Sequence, residues 1–561
     1  MTNSFDEQHL DQKSKITRRT FIERTTKVAG LSLGLTFINP MASLDVLADS
    51  GKKVSRKKPI LVFPVVSDVH MNETSNQTFN KFKETLKQLN QLVPKQDAFA
   101  VVGDLTDNGL VQEFEKFKTA YETNKQSKAA SLIAIGNHDY WNGLPEVDAQ
   151  KRFLEVTKMP AIYYHKIIKG YHFIVLGTED GVTEGTFSVK QIKWMSEKLK
   201  QAHTDDPKKP IFVFHHQPIK DTMYGSEWGF TANRDLFYDT LKKYPQVITF
   251  SGHTHYPLDD PRIIHQKDFT TIGTSTGAYL WLDAGRIQGE VPEGADILNQ
   301  ALIVEVYENK VLINRRDIHN NDWTGEPFEI SVPANKNSFK YTDARKDKKP
   351  PFFTNDAMLS IANDMTSATS LSIMFTQAKD NLLVHDYKVI VTNIETKEVA
   401  KEYLGFSEFY KDPVPNPLML NLEGLAPSTT YDIEVFALDA YGNISTNSIK
   451  AIGRTKKGEP IRITLSKEKV SGIEETLDVV VEGVRAPKSD WVGLYEVNEN
   501  PGEVESIWWQ YTEVSGGTCK FTYNPKNNVN AARYKQGSTY KMVYFYGSGY
   551  DAVASASFRI E

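Results

Sequence analysis

Five times between residues 60 and 255 a short run rich in Val, Ile and Phe stops on Asp, Asn or His. The runs at 60–66, 98–102, 132–135, 211–214 and 247–250 lead into Asp68-Val69-His70, Gly103-Asp104, Gly136-Asn137-His138-Asp139, His215-His216 and Gly252-His253-Thr254-His255. Runs of this kind, bounded by Gly, Asp, Asn or Ser, read as strands buried on both faces. Between them apolar residues recur at helical spacing, at Phe79, Phe82, Leu86, Leu89 and Leu92 and again over 113–120 and 189–199. Strands alternating with helices predict sheet covered by helices, in which ligands gather beyond the carboxyl ends of the strands. Five such ends, carrying carboxylate, amide and imidazole groups, face one crevice.

Those groups suit a pair of metal ions. Imidazoles bind Zn, Fe, Ni or Cu, carboxylate-rich sites also take Mn, and one carboxylate can bridge two cations through its two oxygens. Two cations about 3.5–4 Å apart clamp phosphoryl oxygens and lower the pKa of a bound water. The only cysteine is Cys519, so neither a cysteine-built zinc site nor a disulfide framework is available. There is no Gly-Lys-Ser/Thr phosphate loop.

In their order and at their strand ends, the five segments resemble those of the calcineurin-like metallophosphoesterases, over roughly residues 59–318. The resemblance implies two transition-metal ions, Fe, Mn or Zn, with Asp68, His70 and His255 on one, Asn137, His215 and His253 on the other, and Asp104 bridging both. It implies direct in-line hydrolysis of a small phosphomonoester or phosphodiester by metal-activated water, without a phosphoenzyme. His138 then faces the substrate, steadying a phosphoryl oxygen or protonating the leaving group, and Asp139 hydrogen-bonds an imidazole and fixes its tautomer. Asp107 either supports a ligand or caps the following turn.

Side chains alternate along a strand, so only one of His215 and His216 can coordinate. The resemblance favours His215, which leaves His216 on the substrate side or in packing. His165, His172, His203, His265, His319 and His385 lie outside any ligand spacing and read as structural. Tyr140, Trp141, Tyr224, Trp228 and Phe230 follow ligand segments, where they either stack a base or sugar or pack the loops down.

The flanks set the organisation. Thr17-Arg18-Arg19-Thr20-Phe21-Ile22, a weakly apolar stretch over 28–38 and Val46-Leu47-Ala48 resemble a twin-arginine export signal. The expected layout is a signal at 1–48, a basic linker at 49–58, the metal domain at 59–335 and a charged, proline-ended linker at 336–351. Two all-β units follow. Residues 352–456 resemble a fibronectin type III module, with Tyr431 at its tyrosine corner, and 457–561 an immunoglobulin-like module carrying Asp490-Trp491-Val492-Gly493.

The expected fold is therefore a multidomain chain, an α/β sandwich of mixed sheets flanked by helices followed by two β sandwiches. A net charge of −5 points to no nucleic-acid surface, and beyond the first fifty residues no apolar stretch is long enough to span a bilayer. Trp508, Trp509, Tyr511, Tyr544 and Tyr546 form either a carbohydrate platform or sandwich core. Two readings of the whole stand: an exported phosphoric ester hydrolase, or a cell-surface or carbohydrate-binding protein whose β modules do the work.

Overall fold

A computed structural model describes residues 58–561, apart from 459–460, 473, 485–489, 513–516, 526–532, 547–548 and 551. The export signal expected at 1–48 and nearly all of the basic stretch at 49–58 lie outside the described residues. Among the described residues no helix is long and apolar enough to cross a membrane.

In chain order the first part runs β1 (Leu61–Val66), α1 (Gln77–Leu92), β2 (Ala98–Val102), α2 (Val111–Asn124), β3 (Ala130–Ala134), α3 (Glu146–Thr157), β4 (Tyr164–Ile168), β5 (Tyr171–Val175) and α4 (Val189–Asp205). It continues with β6 (Ile211–Phe214), α5 (Arg234–Leu241), β7 (Val247–Ser251), β8 (Ile264–Gln266), β9 (Thr270–Gly273), β10 (Gln300–Val306) and β11 (Lys310–Asp317). The three expected helices are α1, α2 and α4; the last begins where Ser188 accepts the Gln191 N–H. Helix α3 buries only Ala149, Phe153 and Thr157, and α5 is eight residues long, so neither carries a full apolar stripe.

The strands divide between two mixed sheets. In the first, β1, β2 and β3 are parallel neighbours, and antiparallel β10 and β11 extend it beyond β1. In the second, β5, β6, β7 and β9 are parallel, with β4 and β8 antiparallel at the edges. The sheets face each other through aromatic rings. Phe63 of β1 meets Phe212 at 5.0 Å and Phe173 at 5.2 Å edge to face, and Phe214 stacks on Phe250 at 5.2 Å. Along β6 the alternation is clean. Phe212 and Phe214 fill the space between the sheets, while Ile211 and Val213 pack outward with Ile192, Met195, Leu199 and Phe237 of α4 and α5.

Beyond Gly273 the chain leaves the second sheet. β9 ends at Gly273, and the chain crosses to the first sheet, where the Gly277 N–H is shared between the carbonyls of Ser67 and Asp68 at 2.8 and 3.1 Å.

The rest is all β. Three strands, Leu359–Ile361, Ser370–Phe375 and Leu418–Glu423, and four more, Val399–Phe406, Val384–Asn393, Thr430–Asp439 and Ile449–Arg454, share a core of Leu371, Ile373, Tyr387, Val389, Leu420 and Val435. The Tyr431 hydroxyl accepts the Ala426 N–H at 2.9 Å, five residues upstream. A further pair of sheets, of three and five strands, lies between Arg462 and Ile560.

Of the five aromatics considered for a carbohydrate platform, Tyr544 is buried and Trp508 and Tyr546 pack against the core, leaving Trp509 and Tyr511 exposed on an edge strand. The segment expected as a linker is pinned down in its first half. Tyr341 takes the Glu329 N–H on its hydroxyl, and the Arg345 guanidinium donates to the carbonyls of Pro261 and Ile264.

Candidate metal centre

Every segment expected to carry a ligand lies at a strand end, three from the first sheet and two from the second, and the side chains meet between them. Asp68, His70 and His255 form one group whose donor atoms lie within 4.8 Å of one another, and Asp104, His216 and His253 form another. His255 Nε2 stands 3.2 Å from Asp68 Oδ1 and 3.1 Å from His70 Nε2. Asp104 Oδ2 stands 3.0 Å from His216 Nε2, 3.7 Å from His70 Nε2 and 4.0 Å from His138 Nε2. Its carboxylate thus borders both groups.

The backbone is bent sharply to achieve this. Asp68, His70, Asp104, His253 and His255 all have positive φ, between 46° and 72°. Left-handed backbone costs an L-residue about 1–2 kcal/mol, and non-glycine residues held there cluster at functional sites. Close approach adds a second constraint. A Cβ on Gly252 would lie 2.3 Å from Asp68 Oδ2, and one on Gly103 would lie 2.4 Å from the His216 ring, so each glycine makes room for a donor from another segment.

Several imidazoles have their tautomer fixed from behind. A carbonyl only accepts, so Nδ1 must carry the proton where it faces one. This holds for His216 against Val102 at 2.8 Å, His255 against Tyr279 at 2.9 Å and His138 against Asp107 at 2.7 Å. In the neutral rings Nε2 is left as a lone pair pointing into the site, as metal-binding histidines require. Nε2 of His255 faces His70 Nε2 at 3.1 Å, and Nε2 of His216 faces the Asp104 carboxylate at 3.0 Å. Asn137 is fully buried, accepts from Gln217 Nε2 at 3.1 Å, and leaves Nδ2 without a partner; turned end for end together with the Gln217 amide, whose Oε1 is also without a partner, it keeps that hydrogen bond and offers an acceptor there. These donors fit a pair of cations.

The electrostatics follow from burial and crowding. Burial opposes charge on His216, but Asp104 and Asp68 outweigh it and hold the imidazole up at about 9. Burial, with His216 nearby, pushes His253 down to about 3. Burial also lowers His138. Asp68 is held below the usual carboxylate range: burial works against its charge, and His255 and His216 outweigh the burial.

Two expectations are corrected. His215, expected as a ligand, points away from the cluster. Its ring lies 5.4 Å from Phe237, 6.2 Å from Phe187 and 6.3 Å from Phe230, and its Nδ1–H is taken by the Gln217 carbonyl. His215 continues the outward set of Ile211 and Val213, whereas His216 continues the inward set of Phe212 and Phe214, so His216 takes the place expected for His215.

Asp139, expected to orient an imidazole, touches none. Its Oδ1 accepts the N–H groups of Leu105 and Thr106 and the Thr106 hydroxyl, and its Oδ2 accepts the Gly136 N–H. It ties the Asp104 loop to the His138 loop. Burial and the nearby Asp104 push its carboxyl up to about 7. The group behind His138 is instead the Asp107 carbonyl, and the Asp107 carboxylate sits 3.5 Å from His70 Nδ1.

Sequence reasoning missed Gln217, Tyr279 and Trp281. Tyr279 lies 4.6 Å from the His255 ring, and Trp281 6.5 Å from it. The signal was available for the last two, because β9 runs parallel to β7 and its extension emerges at the same end. Of the loop aromatics, Tyr140 and Phe230 are buried and Tyr224 is partly buried against the core, while Trp141 and Trp228 remain 42% and 49% exposed.

Two facing mixed sheets whose strand ends pool carboxylates and imidazoles in this way define a metal-dependent phosphoesterase. Residues 61–257 match the family model described as calcineurin-like phosphoesterase, so the chain carries a domain of that family. A relative in Arcobacter nitrofigilis, described as "Probable glycerophosphodiester phosphodiesterase GpdQ", is 26% identical over 202 residues, 34% of this chain and 70% of the relative. A cAMP/cGMP dual specificity phosphodiesterase of Mycobacterium tuberculosis is 28% identical over 208 residues, 36% of this chain and 63% of the relative. Among solved structures, a purple acid phosphatase from yellow lupin (Lupinus luteus) seeds is 16% identical with a TM-score of 0.37, covering 49% of this chain and 54% of its own.

Proposed function

We propose that this chain is an exported phosphodiesterase whose residues 59–335 hold two transition-metal ions, drawn from Fe, Mn and Zn. Asp68, His70 and His255 hold one, Asn137, His216 and His253 the other, and Asp104 is shared. The observation that carries the reading is the Asp104 carboxylate, with His216 at 3.0 Å and His70 at 3.7 Å from the same oxygen. Bound there, two cations supply the charge that holds phosphoryl oxygens and acidifies a water.

The remaining work falls to the chain. Val102, Tyr279 and Asp107 hold their imidazoles through backbone carbonyls, so that Nε2 of each is directed inward. His138, at the edge of the cluster and 20% exposed, holds its Nδ1–H against the Asp107 carbonyl, so its Nε2 first takes a proton from the attacking water and the imidazolium then gives that proton to the leaving oxygen. Asp139 keeps the loops of Asp104 and His138 in register.

The diester preference is supported by the names of the two sequence relatives, both phosphodiesterases. The twin-arginine pattern at Arg18-Arg19 supports export of an already folded protein. The all-β units at 352–456 and 457–561 are read as fibronectin type III-like and immunoglobulin-like modules; Tyr431, bonded back to Ala426, supports the first.

The test is metal analysis of the purified protein together with hydrolysis of bis(p-nitrophenyl) phosphate and p-nitrophenyl phosphate after loading with Mn, Fe or Zn. About two ions per chain and faster diester cleavage are expected. A metal-replete protein inert on both esters returns the function to the β modules, and a monoester preference removes the diesterase assignment.

A further inference from the structure

The loop after β9 is bonded to the metal centre along its length. His255 Nδ1–H donates to the Tyr279 carbonyl, and the Trp281 N–H donates back to the His255 carbonyl at 3.2 Å. The Tyr279 ring is thereby set 4.6 Å from His255 and 5.9 Å from His70, and Trp281 stands edge to face with His255 at 6.5 Å. Trp281 Nε1–H is committed to Glu290 at 2.9 Å, which fixes the ring. Trp228 lies 6.1 Å further on, tilted 37° to Trp281.

These rings form a strip leading away from the candidate ligands. Trp228 is 49% exposed, yet the turn beneath it is rigid, because the Ser226 hydroxyl takes the N–H groups of Thr222 and Met223. Beyond the strip opens a cavity of about 670 Å³ lined by Glu227, Trp228, Tyr256, Arg262, Asp283 and Arg286. Its two guanidiniums are fixed, Arg262 by Asp260 and Arg286 by Asp386. Flat apolar faces next to the reacting centre, followed by fixed charges of both signs, match a flat ring whose edge both donates and accepts hydrogen bonds.

We propose that Tyr279, Trp281 and Trp228 form a subsite for a nucleobase-type heteroaromatic group carried on the phosphate ester. The proposal rests on the phosphoesterase reading, since the strip is continuous with the centre that would hold the phosphate. Its test is made independent of turnover. Binding of a non-hydrolysable phosphonate analogue of adenosine 5′-monophosphate is compared with that of the same analogue of ribose 5-phosphate, by calorimetry on the metal-loaded full chain.

The adenosine analogue is expected to bind at least about tenfold more tightly, within the range that a base stacked on an aromatic side chain contributes. In Trp228→Leu and in Trp281→Leu that ratio falls to about two or less, and in Trp281→Phe it is largely restored. Because Trp228 is half exposed, its variant reports on binding even where the Trp281 variant fails to fold. Equal affinity for the two analogues, no affinity for either, or an undiminished ratio in the variants overturns the proposal. Base-dependent binding in a protein that hydrolyses no ester removes the phosphodiesterase reading and leaves the subsite standing.

Discussion

His216 Nε2 stands 3.0 Å from Asp104 Oδ2, while the residue before it in the chain, His215, is turned to the far side of the sheet among Phe187, Phe230 and Phe237. Two adjacent histidines therefore have opposite fates on substitution. His216→Ala should leave about one ion per chain in place of two and lower kcat/KM at least about a hundredfold, since even partners behind a ligand are worth ten to a hundredfold. His215→Ala should keep both ions and turnover but lose about 2–4 kcal/mol of stability, the usual cost of emptying a buried site. Metal content by mass spectrometry, read beside the melting temperature, separates the two; metal loss in the His215 variant would restore the original assignment.

His138 touches the site without belonging to either three-residue donor group built on Asp68 or Asp104, and its Nδ1–H is occupied by the Asp107 carbonyl. His138→Ala is accordingly expected to retain the full metal complement while kcat drops by about 10²–10⁴, the range of a lost general acid. The loss should be greatest for esters with poor leaving groups, because those need the proton most. A series of aryl phosphodiesters with leaving groups of rising pKa measures it, and a slope unchanged from wild type rules out the proton-donor role.

Asp139 uses both oxygens as acceptors for four donors drawn from residues 105, 106 and 136. Asp139→Asn sets an amide N–H₂ against at least one backbone N–H in a fully buried site, which costs about 1–3 kcal/mol. The expected result is a lower denaturation midpoint together with weaker metal retention, as the two loops lose their common anchor. Hydrogen exchange should rise at Gly136, Leu105 and Thr106; protection unchanged at all three contradicts the anchoring role.

Much of this is legible in the sequence, and the departures from it have a common physical origin. Strand ends could be found because buried parallel strands are short, apolar and sharply bounded; of the residues expected to bind metal, Asp68, His70, Asp104, His253 and His255 fall in the two donor groups and His215 does not. The face on which a side chain lies is set by what packs against the sheet. His215 and His216 could be told apart only through the parity of Phe212 and Phe214, which in turn requires knowing that aromatics fill the space between two sheets. Asp139 departs from expectation for a related reason: a carboxylate beside a histidine in sequence need not meet it in space, and the turn at His138–Tyr140 carries it back towards Thr106. Tyr279 and Trp281 sit in a loop whose place depends on the β module that follows, where Leu280 and Leu282 are buried with Phe406, Phe409 and Tyr410.

That dependence gives the β module a measurable role. Arg286, in the loop after β9, donates to both oxygens of Asp386 at 2.9 and 2.7 Å, and the His385 Nδ1 lies 2.9 Å from the same carboxylate. Burial works against the charge of Asp386, yet His385 and Arg286 outweigh it and hold the carboxyl down at about 2. A depressed carboxyl contributes stability above its unfolded value near 3.9 and loses that contribution as pH falls through its folded value, here about 2. The contribution is of the order of 2 kcal/mol at neutral pH. Asp386→Asn should therefore lower the melting temperature by a gap that is present at pH 5 and narrows as pH falls below about 4. The anchored loop also carries Tyr279 and Trp281, so the same variant should raise KM more than it lowers kcat. A melting gap independent of pH down to about 3 contradicts the ion pair as its source, and an unchanged KM separates the junction from the substrate wall.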